Sequence, residues 1–167
     1  MTTLFQTVGH RYACTVLTTP GLIRLVTEID DNGPIPPRGL TRTLPDLSVS
    51  QLRQAVEQAR ALGLVRHRPG AGLSLTPSGS GLADVYDATA RWARRHSVPT
   101  QVCDFTSRVQ HTLSLLAAPI VLPSQDTSEG GSPLTAAEGF DEARGLLHQW
   151  LRENPQLTQG SEPVLAA

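Results

Sequence analysis

Between residues 38 and 68 the chain gathers Arg38, Arg42, Arg53, Arg60, Arg66 and Arg68 against only Asp46 and Glu57, a local net charge of +4. Guanidinium groups at that density attract phosphate oxygens, and planar side chains among them can also pair with base edges, Arg with guanine and Gln with adenine. Arg53 and Gln54 are the candidates for base edges, at about 1 to 3 kcal/mol of discrimination for each well-formed pair. Ser48, Ser50 and Gln51 would add contacts to the nucleic-acid backbone. Arg38 and Arg42 would brace it, and Arg66, His67 and Arg68 would run along an adjacent groove or phosphate row. The plainer reading is a solvated surface, which is what an isolated exposed arginine usually is. Clustering is what favours a polyanionic partner.

The total charge conceals this. The chain of 167 residues carries a formal net charge of −1. Residues 1–110 hold twelve of the fourteen basic and eight of the fifteen acidic side chains, and residues 111–167 hold the remaining two and seven. A basic body is therefore followed by an acidic tail, and every basic side chain is Arg.

Other chemistries lack their residues. His10, His67, His96, His111 and His148 show no i, i+4 pairing, and Gly70-Ala71-Gly72 lacks the strand-to-helix setting of a nucleotide-binding loop. Cys14 and Cys103 stand at neither metal-ligand nor disulfide-framework spacing. No metal, no cofactor and no catalytic constellation is expected. No run approaches the ~20 apolar residues of a membrane span, and the start lacks a basic-then-apolar signal, so a cytoplasmic protein without a membrane partner is expected.

The elements that must position the arginines follow from spacing and caps. Phe5, Val8, Tyr12 and Val16 suggest a first helix, and Thr19-Pro20 opens a second with Leu22, Ile23, Val26 and Ile29 on its apolar face. Pro36-Pro37 begins a short helix through Arg38, Leu40 and Leu44. Ser48-Val49-Ser50-Gln51 is then a capping box. From it runs a helix with Leu52, Ala55, Val56, Ala59 and Leu62 inward and Ser50, Arg53, Gln54 and Glu57 outward, closed by Gly63. Two short strand-type runs in 64–76, reversed at Pro69–Gly72, make a hairpin with a basic tip. Thr76-Pro77 starts a long helix carrying Leu82, Val85, Tyr86, Thr89, Trp92 and His96.

Beyond Pro99, a helix from Gln101 places Val102, Phe105, Val109, Leu113 and Leu116 near an a/d seam that asks for a partner. The stretch from Pro119 reads as a linker, and Thr135–Glu138 caps a helix with Phe140, Ala143, Leu147, Trp150 and Leu151 in a stripe. The fold class expected is mainly α with a small β-hairpin wing, a winged helix-turn-helix with extra N- and C-terminal dimerisation helices. Its divisions are an N-terminal arm (1–18), a DNA-binding domain (19–97), a dimerisation helix (98–118), a linker (119–134), an amphipathic helix (135–153) and a disordered tail (154–167).

Leu52-Arg53 leading into Ala61-Leu62-Gly63-Leu64-Val65-Arg66, then Leu75-Thr76, Gly79, Leu82 and Trp92, carry a resemblance to a known family. On these residues the run from Leu22 to Trp92 resembles the HxlR branch of winged-helix bacterial regulators and, more loosely, MarR and PadR proteins. The family's usual Gly-Lys-Trp is here Pro20-Gly21-Leu22, and its following Arg-Phe is absent. The resemblance implies a transcriptional regulator of actinobacterial type, a homodimer that sets two recognition helices in successive major grooves ~34 Å apart. Helix 48–62 would enter the major groove and wing 64–76 would meet the backbone or minor groove. Cys14, near Arg11, would by the same resemblance be a candidate redox sensor. The alternative is a winged-helix module that binds another protein, through this surface or the 135–153 helix, and never touches DNA.

Overall fold

A computed structural model of the chain describes residues 2–118 and 133–159, with the side chains of 8–118 and 139–159. The molecule is mainly helical, with one small antiparallel sheet. In order come α1 (Thr2–Leu17), α2 (Pro20–Asn32), α3 (Leu40–Thr43), α4 (Val49–Ala61), β1 (Val65–Arg68), β2 (Gly72–Leu75), α5 (Pro77–Arg95), α6 (Phe105–Ala117), α7 (Pro133–Glu153) and α8 (Gln156–Gln159).

One apolar core runs through nearly all of them. Leu22, Ile23, Leu25, Val26 and Ile29 of α2, Leu52, Ala55 and Ala59 of α4, and Leu82, Val85 and Tyr86 of α5 are all buried in it. Three side chains from separate helices converge on the end of α1. Gln58 of α4 donates to the Val16 carbonyl (3.1 Å), Tyr86 of α5 to that of Leu17 (2.8 Å) and Gln110 of α6 to that of Thr18 (2.8 Å). The last carbonyls of a helix have no partner within it, and buried ones must find partners elsewhere.

Local signals define α4. Ser48 Oγ accepts from the Gln51 amide while Gln51 Oε1 accepts from the Ser48 amide, so both halves of the capping box form. At the other end Gly63 takes φ +69°, the Leu64 amide donates to the Ala59 carbonyl and the Gly63 amide to that of Arg60. That is a Schellman closure with buried Leu64 as its apolar anchor. The Thr76 hydroxyl then donates to the Gly63 carbonyl and accepts from the Gly79 amide, joining the end of α4 to the start of α5.

The hairpin pairs Val65 with Leu75 and Arg68 with Gly72. A reciprocal hydrogen-bonded bridge between Ile35 and Leu73 lays a third segment on its edge, which the sequence had not suggested. Gly72 makes this approach feasible: its φ is +102°, and a β-carbon there would lie 2.2 Å from the Ile35 carbonyl oxygen.

Several expected boundaries and surfaces are corrected. Helix α3 is shorter than a Pro36 start implies, because Pro36–Gly39 forms a turn closed by the Gly39 amide on the Pro36 carbonyl and the helix begins at Leu40. Helix α6 begins at Phe105, since Asp104 caps it through the Ser107 amide, and so Val102 stands in the preceding turn, 94% exposed. The expected seam of α6 is covered by this chain: Val109, Leu113 and Leu116 are buried and Phe105 packs on the same core, supplied by α1, α2 and α5. They are not available as a dimer interface.

The stripe of α7 is also covered. Ala143, Leu147, Trp150 and Leu151 are buried where α7 packs on α5, and Trp150 Nε1 donates to the Ser78 carbonyl (2.8 Å). The stripe is core, not a free docking face for another protein. The tail expected from 154 instead contributes buried Asn154 and Leu157, with α8 set against α1. The linker expected at 119–134 lies outside the described residues up to 132, and the last part of the tail, 160–167, does so too.

Two substitutions test this frame. Tyr86→Phe removes the donor to the Leu17 carbonyl at a fully buried position and should cost about 1 to 3 kcal/mol in a urea melt, with m unchanged. Gly72→Ala should lower the melting temperature by several degrees, since a strained backbone costs about 1 to 3 kcal/mol before the clash with Ile35 is added. A melt indistinguishable from the parent in either case would contradict the corresponding contact.

Candidate nucleic-acid interface

Helix α4 divides by face. Leu52, Ala55 and Ala59 are buried and Val56 nearly so, whereas Ser50, Gln51, Arg53, Gln54, Glu57 and Arg60 are exposed. No described residue covers that polar face. Ser48 and Gln51 are exposed but already engaged with each other in the capping box, and the Ser50 hydroxyl lies 3.1 Å from that of Ser48, so Arg53 and Gln54 are the freer polar groups of the first two turns.

Arg38 and Arg42 are exposed at and before α3, on the neighbouring element. Among the described residues the ion pairs are Arg24–Asp46, Arg91–Asp87 and Arg144–Asp141, so none of Arg38, Arg42, Arg53, Arg60, Arg66 and Arg68 is spent on a carboxylate. In the hairpin, Arg66, His67 and Arg68 are exposed in succession. Consecutive strand residues point to opposite faces, so this part of β1 is uncovered on both faces, as the outer strand of a hairpin whose other strand, β2, is largely buried. All ten residues picked from sequence as backbone or base contacts are solvent-facing.

A shallow groove of about 370 Å³ lies between α3 and α4. Its floor includes Leu40, Val49, Leu52 and Val56, and Arg38, Arg53 and Arg60 stand along it. Arg60 and Val49 were not among the residues picked from sequence. Arg60 sits on the exposed face in the last turn of α4, within the basic cluster that sequence already revealed. Val49 shares helical spacing with Leu52 and Val56, which by periodicity alone puts it with the core; it is nevertheless 62% exposed, at the first position of α4.

A second cleft, of about 620 Å³, opens between α2, α5 and the start of α6 and has the opposite sign. Asp30, Asp31, Asp84, Asp87 and Asp104 line it, with Arg24 and Phe105. Partial burial, then the nearby carboxylates Asp31, Asp84 and Asp87, push the Asp30 carboxyl above the ordinary carboxylate range. Arg24 is turned to Asp46, donating from Nε (2.8 Å) and Nη2 (3.1 Å), and holds that carboxyl below its usual range.

Cys14 does not have the surroundings of a thiolate sensor. It is 1% exposed, and burial pushes its thiol up to about 12, while Arg11, the cation expected to favour the thiolate, is exposed to solvent. Its polar neighbour is His10 Nε2 at 3.8 Å, and His10 in turn lies 3.2 Å from the Leu116 carbonyl. Cys103 is half-buried in the turn before α6, its sulfur near the Thr100 carbonyl. Among the described residues no cluster of His, Cys, Asp or Glu is arranged to hold a metal ion, and no helix is long and apolar enough to cross a membrane.

No protein-family model, no curated protein and no solved structure matches the chain.

A raised thiol pKa keeps Cys14 protonated from about pH 6 to 9 and so unreactive. Iodoacetamide added to the native protein should modify Cys103 first, and Cys14 only as fast as the fold opens, as read by peptide mass spectrometry. Equal labelling rates would restore Cys14 as a sensor candidate.

Proposed function

We propose that the protein binds double-stranded DNA through α4 and the β1–β2 hairpin, as a winged helix-turn-helix transcriptional regulator. The observation that carries this reading is the uncovered polar face of α4, with six neighbouring arginines free of carboxylate partners. An α-helix fits the major groove, and cations beside it neutralise phosphates as they displace counterions.

The order of elements supports the same reading. A helix (α2), an edge segment at Ile35, a short helix (α3), a capped helix (α4) and a hairpin with an exposed outer strand follow one another in the chain. In that plan α4 is the recognition helix and β1–β2 the wing. Arg53 and Gln54 read base edges, with Ser50 beside them, while Arg38, Arg42, Arg66, His67 and Arg68 hold the phosphates. Binding rather than catalysis is the role assigned, in the cytoplasm, where duplex DNA is accessible.

Binding of the full chain to randomised duplex DNA, followed by anisotropy, should weaken steeply with salt, log affinity falling by about 0.9 per log unit of salt for each phosphate contacted. Arg53→Ala with Arg66→Ala should weaken it by about tenfold or more and flatten that slope by roughly 1 to 2. Affinity that ignores salt and tolerates both substitutions would instead indicate an apolar protein–protein contact in the α3–α4 groove and would sink the DNA reading.

A further inference from the structure

Val49 is an anomaly on this surface. The large apolar side chains exposed among the described residues are Val8, Tyr12, Val49, Val102 and Leu115. Of these, Val49 is the one set among the arginines, in the first turn of α4 between the Ser48 cap and exposed Ser50. It lines the α3–α4 groove with Leu52 and Val56, beside three arginines, Arg38, Arg53 and Arg60, and one carboxylate, Glu57. An aliphatic group among cations suits a partner that presents an apolar group inside a polyanionic setting.

Duplex DNA offers one such group along its major-groove base edges, the C5-methyl of thymine. The first turn of a recognition helix is also the part that approaches base edges most closely. A β-branched side chain on a helix holds essentially one χ1 rotamer, so a contact made by Val49 orders little that is not already fixed. Residues four apart share a helix face, which puts Val49 beside Arg53.

We infer that Val49 is a specificity determinant that packs against a thymine methyl, one or two base steps from the guanine paired by Arg53. This rests on the duplex-binding reading above and adds to it a base identity and the side chain that reads it. The acidic peptide that such a basic groove would also attract has no methyl group in a fixed register with a phosphate backbone, and it supplies the opposing outcome.

The test starts from duplexes enriched by the full chain out of a randomised pool. In the enriched duplex each thymine is replaced in turn by deoxyuridine, which removes the methyl and leaves the pairing edge unchanged. The parent protein should lose about three- to fivefold in affinity at one thymine near a guanine, the effect of exposing one methyl-sized group. Val49→Ala should bind the thymine and uracil duplexes equally. Val49→Thr, which keeps one methyl, should retain part of the difference.

Because Val49 is largely exposed, both variants should melt with the parent, and the melt is measured alongside. A parent insensitive to every uracil, or a Val49→Ala variant as sensitive as the parent, overturns this inference and leaves duplex binding standing. Failure to enrich any duplex, with no salt-dependent binding, overturns both.

Discussion

The end of α1 is where this fold is tied together. Three successive carbonyls, those of Val16, Leu17 and Thr18, take hydrogen bonds from Gln58, Tyr86 and Gln110, one side chain each from α4, α5 and α6. The Leu17 carbonyl is buried, and without the Tyr86 hydroxyl it would cost more than a made bond returns, whereas the Val16 carbonyl also accepts from the Thr19 hydroxyl. Three helices far apart in sequence are thereby fixed against one point. The relative placement of α4 and α5, and so of the hairpin between them, is set by polar constraints as well as by apolar contact, which alone is non-directional.

That constraint matters for the exposed face of α4. One side of the helix is held by the core and, at Gln58, by α1, and the other is left to solvent. The hairpin is restrained in the same economical way. Thr76 bonds back to Gly63 at the base, and Ile35 bonds to Leu73 near the turn, so β2 is held at both ends while Arg66, His67 and Arg68 of β1 remain uncovered. A surface meant to meet a rigid partner loses less entropy on contact when its scaffold is already ordered.

What was legible in the sequence divides along this line between local and long-range physics. The Ser48–Gln51 capping box, the Gly63 closure, the presence of the hairpin and the cap at Thr76 involve residues only a few positions apart, and each could be read directly. So could the inward and outward faces of α4, and with them the solvent-facing arginines. The three bonds to α1 span 42, 69 and 92 positions, and no periodicity announces them. Thr19 illustrates the gap: it stands at a cap position, yet its hydroxyl donates back to the Val16 carbonyl and caps nothing in α2. The apolar seam of α6 was visible too, but a seam states only that a partner is needed. Three helices of the same chain fill that need, which sequence spacing cannot distinguish from a second copy.

Charge is sorted by element in the same way, and one ion pair sharpens the sorting. Carboxylates from α2, α5 and the cap of α6 surround one cleft, while α3, α4 and the hairpin carry arginines. Each territory contains members of the wrong sign: Arg24 lines the acidic cleft, and Asp46 and Glu57 lie within the basic stretch. Of these, Arg24 and Asp46 bond to each other through paired contacts. As a contribution to stability, so exposed a pair is worth little, about 0 to 1 kcal/mol. Its larger effect is on the field, because each charge is cancelled where it would have opposed its neighbours. The cleft is left more uniformly negative, and the basic stretch keeps Glu57 as its one acidic side chain outside that pair. A polyanion approaching this molecule would therefore meet attraction from one set of elements and repulsion from another.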